Sequence, residues 1–515
     1  MNAHQGACRT VPAPGPDRRL SAAGYRSHGS RGSGNRAVPR RSAVGGLLLL
    51  LLVLTVVFSA RADTARHPHE LKPAPLEFTP LAVERDTLAC GIPVLLYENH
   101  DLPICDLTIQ FHMGTRYLPR EDHTASGLLG ALWRDGGTAT IRPDSLDELL
   151  TALDASMYAS TDDRTGQVSL SLSSEDLERA VPLWREVVLH PAFNDDRLVR
   201  AKANRLKELQ EINNDPSAIA FQRFNWLIMG REHPSSHLET RAEIEGVTVE
   251  DLRRLHARFV RPKNAVLGVS GDFNRTEMLA LLNRLCRDWS APGPSTPPVL
   301  QVWTPHPEPG VYLLRGDYEQ SQVRLGRVIR DLDDDSPDYA VAQILSYALG
   351  WTRVFYRVRA EGLSYGAGVM LNVGEKVSTL QGLGSGRGDA TIPLLRAMLE
   401  ETQGIETRPF TKEELESSRV FQVGGEISSS ETSAALISRK VGAVMRGRPD
   451  DFHERHLQRL LEATQEDLQR AAERYVIPAD SMVVFVLGDP AKFGEPLDSL
   501  GLGPVRELAP VKFGE

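Results

Sequence analysis

Cysteine is scarce in this chain, at four residues in 515. None stand in a C-x-x-C spacing, which excludes zinc ribbons and thioredoxin-like redox motifs. Long apolar runs are also missing. The most hydrophobic stretch, within Val44 to Phe58, is about 14 residues long, short of the roughly 20 that a bilayer-spanning helix needs. Basic clusters are absent from the body of the chain. Residues 1–62 hold nine Arg, no Lys and one Asp, a charge of +8, which leaves −17 for the remainder of a chain whose total is −9. A body this acidic argues against nucleic acid as its main partner. What is present, 41% hydrophobic and 25% charged residues, is a globular composition that excludes disordered and collagen-like classes. The length suffices for two to four domains.

The basic segment reads as an export leader. Arg40-Arg41 precede the apolar run, and Ala60-Arg61-Ala62 follows it as an A-x-A pattern that would release a mature chain near Asp63. The alternative is an uncleaved membrane anchor at the N-terminus. The Arg pair fits twin-arginine export only weakly, because no Phe-Leu follows it. The expected location is outside the cytoplasm, periplasmic or associated with the cell envelope. Of the cysteines, Cys8 falls in this leader. Cys90 and Cys105 flank an expected hairpin at Glu98-Asn99-His100-Asp101, and either pair in an oxidising compartment or remain buried free thiols.

Beyond the leader, short strands alternate with amphipathic helices. Strand patterns occur at 92–98, 104–113, 166–173 and 265–271, and helical periods at 145–155, 177–190 and 196–212. An internal repeat organises them. VTVEDLRRLHARFVRP at 247–262 returns as ATQEDLQRAAERYVIP at 463–478 with eight identities, and each copy leads into an apolar strand ending in Gly-Asp. A period of about 215 residues is too long for a solenoid and indicates two duplicated domains. Seven prolines between Trp289 and Pro309 mark a linker. The expected organisation is a leader over 1–62, a first domain over 63–288, a linker over 289–309 and a second domain over 310–515.

Several ordered segments carry a resemblance. LACGIPVLLYENHDLPICDLTIQFHMGTRY, SGLLGALWRDGGT, HPAFNDDRLVRAKANRLKELQEINNDP and VTVEDLRRLHARFVRPKNAVLGVSGDF, then LGWTRVFYRVRAEGLSYGAG in the second half, resemble the pitrilysin/insulinase family of zinc metallopeptidases, in its processing-peptidase-like branch. The resemblance implies an α+β fold of two homologous domains, each a mainly antiparallel sheet with helices packed on one face, forming a clam-like chamber. Active members carry His-x-x-Glu-His on a helix, two His binding zinc and the Glu acting as general base, with a later Glu completing the site.

That motif is missing here. Aligned from Gly127-Leu128, the first His, the Glu and the second His fall on Gly130, Trp133 and Arg134, and no shift restores them because residues 124–138 contain neither His nor Glu. The third-ligand position falls on Glu208, which alone cannot hold zinc. Other histidine clusters carry weaker signals: His233 and His237 sit in a Pro/Ser loop, His453 and His456 on a charged helix, and His67 and His69 just past the cleavage pattern. GLGSGRG at 382–388 reads as a glycine-rich strand-to-helix turn. On the substrate side, Tyr365 matches the family's carbonyl-polarising Tyr, with Arg359, or alternatively Arg357, as the accompanying Arg.

The resemblance therefore implies a zinc-deficient homologue with no cofactor in this chain. The leading expectation is the non-catalytic, peptide-binding subunit of a heteromeric zinc protease, whose homologous partner subunit carries the zinc; a homodimer is the other assembly. The alternatives are a peptide-binding or scaffolding protein without a protease partner, and an active peptidase with unorthodox ligands.

Overall fold

Alternating apolar positions in the strand segments can be satisfied only by covered sheets. The computed structural model describes residues 82–289, 298–476 and 481–514; the leader and most of the proline-rich stretch lie outside the described residues. Two six-stranded sheets form the frame. The first runs β1 (Glu84–Thr87), β2 (Pro93–Glu98), β6 (Ala265–Gly271), β3 (Ile104–His112), β5 (Thr165–Ser173) and β4 (Ser156–Thr161). The second runs β12 (Val505–Glu507), β7 (Gly310–Arg315), β11 (Val483–Gly488), β8 (Gln320–Ile329), β10 (Ser378–Arg387) and β9 (Ala367–Asn372). From the second position inward the two orders match strand for strand. Pairing is mainly antiparallel, with β2–β6, β7–β11 and β7–β12 parallel.

The repeated segment occupies equivalent places. The helices Val249–Phe259 and Gln465–Tyr475 both start with a capping box, Thr248 with Asp251 and Thr464 with Asp467, in which side chain and backbone satisfy each other's orphan groups. Each leads to a wholly buried strand, β6 or β11. Two sequence expectations change. Strands β2 and β3 do not form a hairpin, because β6 lies between them. The glycine-rich 382–386 stretch lies within β10 rather than in a turn.

One face of each sheet carries the helices that build its main core. The other face is covered by a helix from the opposite half. Helix Ser433–Met445 sets Ile437, Val441 and Met445 against Leu95 and Val266 of the first sheet. Helix Pro216–Met229 sets Ala220, Phe224 and Ile228 against Tyr312, Phe485 and Leu487 of the second. Gly268 in β6 permits the first approach, since a Cβ there would stand 2.3 Å from Ile437 Cγ2. The exchange makes each half's packing depend on the other.

Candidate functional site

Helix His123–Asp135 is the place to look for the lost motif, because it packs against both the sheet and helix Asp195–Ile212. Gly130 faces the sheet. A Cβ at Gly130 would lie 2.5 Å from the Thr161 backbone nitrogen, so β4 approaches too closely for any side chain. Trp133 is fully buried, its Nε1 donating to the Val187 carbonyl at 3.1 Å and its ring edge-on to His256. Arg134 points aside and pairs with Asp147 at 2.6 Å and Asp135 at 3.0 Å.

None of these three residues lines the space in front of Glu208. That space, a cavity of 540 Å³ between the two helices, is lined on the first helix by Gly127, Leu128, Ala131, Leu132 and Asp135. Leu128, Ala131 and Leu132 are spaced i, i+3 and i+4, the spacing of His-x-x-Glu-His on one helical face. Alignment from the motif's N-terminal side placed the pattern two residues too late along the helix. No residue at these positions can bind a metal. Among the described residues no cluster of three or more His, Cys, Asp or Glu is arranged to hold a metal ion.

Glu208 has become part of an ion-pair network. Arg205 donates to Glu208 at 2.8 Å and forks onto Glu239 with its shortest contact at 2.7 Å. Histidines of the other described clusters also have packing roles, while His67 and His69 lie outside the described residues. His233 accepts from the Ser235 backbone nitrogen and stacks edge-on against Trp303, His237 lies beside His123, and His456 bonds Gln343 at 2.7 Å. Burial pushes the imidazoles of His123, His237 and His456 below their usual range, so they pack as neutral rings.

Arg359 and Tyr365, the pair expected on the substrate side, come together. Arg359 lies over the Tyr365 ring at 4.9 Å, and Tyr365 is 87% exposed. Arg357 is committed elsewhere, to Glu361, Glu400 and Glu401. Of the two arginines the sequence left open, Arg359 is the one beside Tyr365.

A feature that motif reasoning missed runs into this pair. Residues Ala348–Phe355 form a π-helical stretch between helices Tyr339–Tyr347 and Tyr356–Ala360. Along it, four-residue spacing places Tyr347, Trp351, Phe355 and Arg359 in a row. Trp351 and Phe355 stack at 4.1 Å, Tyr347 stacks on Phe421 at 4.1 Å, and Arg359 covers Phe355 at 5.2 Å. Trp351, Tyr356 and Phe421 are each about half exposed. The signal was present as an aromatic every fourth residue, but only the packing shows that the row faces outward.

Arg353 anchors the same stretch from inside. It donates to Glu414 at 2.6 and 2.9 Å and to the carbonyls of Arg408 and Pro409, and lies 3.9 Å over the Phe410 ring. Burial pushes the Glu414 carboxyl up, but the Arg353 and Thr411 hydrogen bonds outweigh it and hold it below the usual carboxylate range. Replacing Arg353 with Met takes the cation from Glu414, which keeps only its Thr411 hydrogen bond, and leaves two carbonyls without that donor. The expected loss is about 3 kcal/mol of stability, measured by urea denaturation; a loss under about 1 kcal/mol would show that the pair is dispensable.

Comparison with known proteins places the chain in a family. The family model for insulinase (peptidase family M16) matches residues 93–240, and the peptidase M16 inactive domain matches residues 246–419. A non-peptidase homologue, YmxG of Helicobacter pylori, is 20% identical over 368 residues, 70% of this chain and 84% of that protein. Among solved structures, the peptidase M16 inactive domain from Pseudomonas fluorescens superposes with a TM-score of 0.68 at 22% identity, over 81% of this chain and all of that one. The periplasmic protease PqqL of Escherichia coli matches at a TM-score of 0.66 and 16% identity, over 82% of this chain and half of that one.

Proposed function

We propose, from the premise that this chain belongs to the insulinase (M16) peptidase family as an inactive homologue, that it is the peptide-binding, non-catalytic subunit of a heteromeric zinc protease in the cell envelope. The observation that carries this reading is an asymmetry between two sites. The helix face opposite Glu208 carries Leu128, Ala131 and Leu132 at the spacing of the motif, whereas the Arg359–Tyr365 pair is assembled and open to solvent. A Tyr hydroxyl donates to a developing oxyanion, and an Arg donates to a carbonyl or carboxylate. The zinc ion and its activated water belong, in this reading, to a homologous partner subunit.

The aromatic row supports peptide binding. Exposed rings in contact with one another present apolar area that costs little entropy to bury. The basic leader and A-x-A pattern support export, and the acidic mature body favours basic peptides in the chamber. The matched strand orders are consistent with an origin of the two halves by duplication.

The test uses the full chain co-expressed with a zinc-bearing homologue from the same source. Tyr365→Phe or Arg359→Gln is expected to lower kcat of the complex by about a hundredfold. Zinc content and co-elution of the two chains should be unchanged. Chelator-sensitive cleavage of unstructured peptides by this chain alone would overturn the proposal. Failure to recover any homologous partner would move the reading to a peptide-binding scaffold.

A further inference from the structure

Spacing in the sequence sets Cys90 against Cys105, but the fold separates them. Cys105 lies inside β3, paired with Gly271 on one side and Leu172 on the other, and is fully buried. Cys90 sits in the turn between β1 and β2, where Gly91 N donates to the Leu88 carbonyl and Leu88 N to that of Ile92. This turn rests on helix Arg275–Cys286, and the Ala89 backbone nitrogen donates to Asn283 Oδ1 at 2.7 Å. One helical turn beyond Asn283 stands Cys286, the helix's last residue, so the same contact brings Cys286 beside Cys90. Both residues belong to the same apolar cluster, Cys286 buried within it and Cys90 half-buried at its edge.

We infer that Cys90 and Cys286 are a disulfide site, closed when the chain meets an oxidising compartment. Two features outside their contact favour this. Cys90 is partly open to solvent, so a disulfide donor can reach it, and the Ala89–Asn283 hydrogen bond holds the two segments in register before oxidation. The contact also shapes reactivity. The neighbouring Cys286 thiol, opposed by burial, lowers the Cys90 thiol to about 7, while Cys286 and the buried Cys105 are pushed up. Cys90 is thus the thiol that attacks first.

The reaction balances with a small-molecule or protein disulfide as oxidant. The Cys90 thiolate attacks one sulfur of the donor, breaking its S–S bond and releasing one thiol. Cys286, losing its proton, then attacks the Cys90 sulfur of the mixed disulfide and expels the second donor thiol. Two protein thiols are oxidised, one donor disulfide is reduced to two thiols, and both protons end on the donor. The bond closes a long loop, from the turn preceding β2 to the end of the Arg275–Cys286 helix, and fastens β1 at the edge of the first sheet.

The experiment takes the reduced full chain, treats it with glutathione disulfide at neutral pH, blocks free thiols with iodoacetamide under denaturing conditions and maps peptides by mass spectrometry. The expected product is a Cys90–Cys286 linked peptide with Cys105 alkylated. The oxidised chain should melt about 5 °C higher than the same sample after reduction. Cys90→Ala and Cys286→Ala should each abolish that difference, and the double variant should do no more than either. Full alkylation of Cys90 and Cys286 after oxidation, or a Cys90–Cys105 product, overturns the inference.

Discussion

A chain carrying Leu128→His, Ala131→Glu and Leu132→His is expected to bind about one zinc ion, where the unaltered chain takes up none. The two introduced imidazoles, four positions apart on one helical face, would share the 540 Å³ cavity with Glu208. Two imidazoles and a carboxylate make a three-protein-ligand set with an open fourth position. Arg205 now holds Glu208 but also grips Glu239, so it keeps a partner when the metal takes Glu208. Leu128 and Leu132 are buried, and exchanging each for a polar ring of similar size costs about 1–3 kcal/mol, part of which metal binding returns. Metal analysis after gel filtration provides the measurement, and Glu208→Gln in the triple background should weaken binding at least about tenfold. Placing the same residues two positions later is expected to unfold the protein instead. Gly130→His would drive a side chain into Thr161, and Trp133→Glu would bury a carboxylate in the core. A folded, metal-free triple variant would show that the helix face is not aligned with Glu208.

Acidification is expected to destabilise the fold well before the carboxylates titrate. Burial lowers His256, His233 and His453 to about 4, assisted by Arg116 at His233 and by Arg439 at His453. His256 lies edge-on to Trp133 and Phe193 and donates from Nε2 to the Val188 carbonyl at 2.9 Å, a role its neutral ring fills. With folded values below the unfolded 6.5, the unfolded chain takes up protons first as the pH falls. Stability from these rings is therefore complete above about pH 6.5 and is lost between about 6.5 and 4. His256 alone should account for about 2 kcal/mol at about pH 4, allowing for its partial exposure. His100, exposed between Asp272 and Glu98, is raised and works in the opposite sense, its ion pairs fading as the pH rises above about 6.5. Urea denaturation at intervals between about pH 7.5 and 4.5 measures the slope. His256→Gln keeps a donor for Val188 without titrating, and should flatten the dependence. An unchanged slope in that variant would exclude His256 as a source.

By itself the sequence determined the frame and the loss. The repeated segment and the apolar strand after each copy are local signals, set by capping chemistry and by continuous apolar runs buried on both faces, and they recur in both halves. The absence of His and Glu from residues 124–138 was equally legible, because an absent side chain needs no fold to establish it. Tertiary structure alone decided the rest. A helix repeats every 3.6 residues, so a two-residue shift in alignment turns the inferred face by more than half a revolution. Only the contact of Gly130 with β4 shows that Leu128, Ala131 and Leu132 face Glu208. Cys90 meets Cys286 rather than Cys105, and β6 enters between β2 and β3, for a common reason. Partners distant in the chain are chosen by which apolar faces can be buried together, and sequence spacing does not encode that choice.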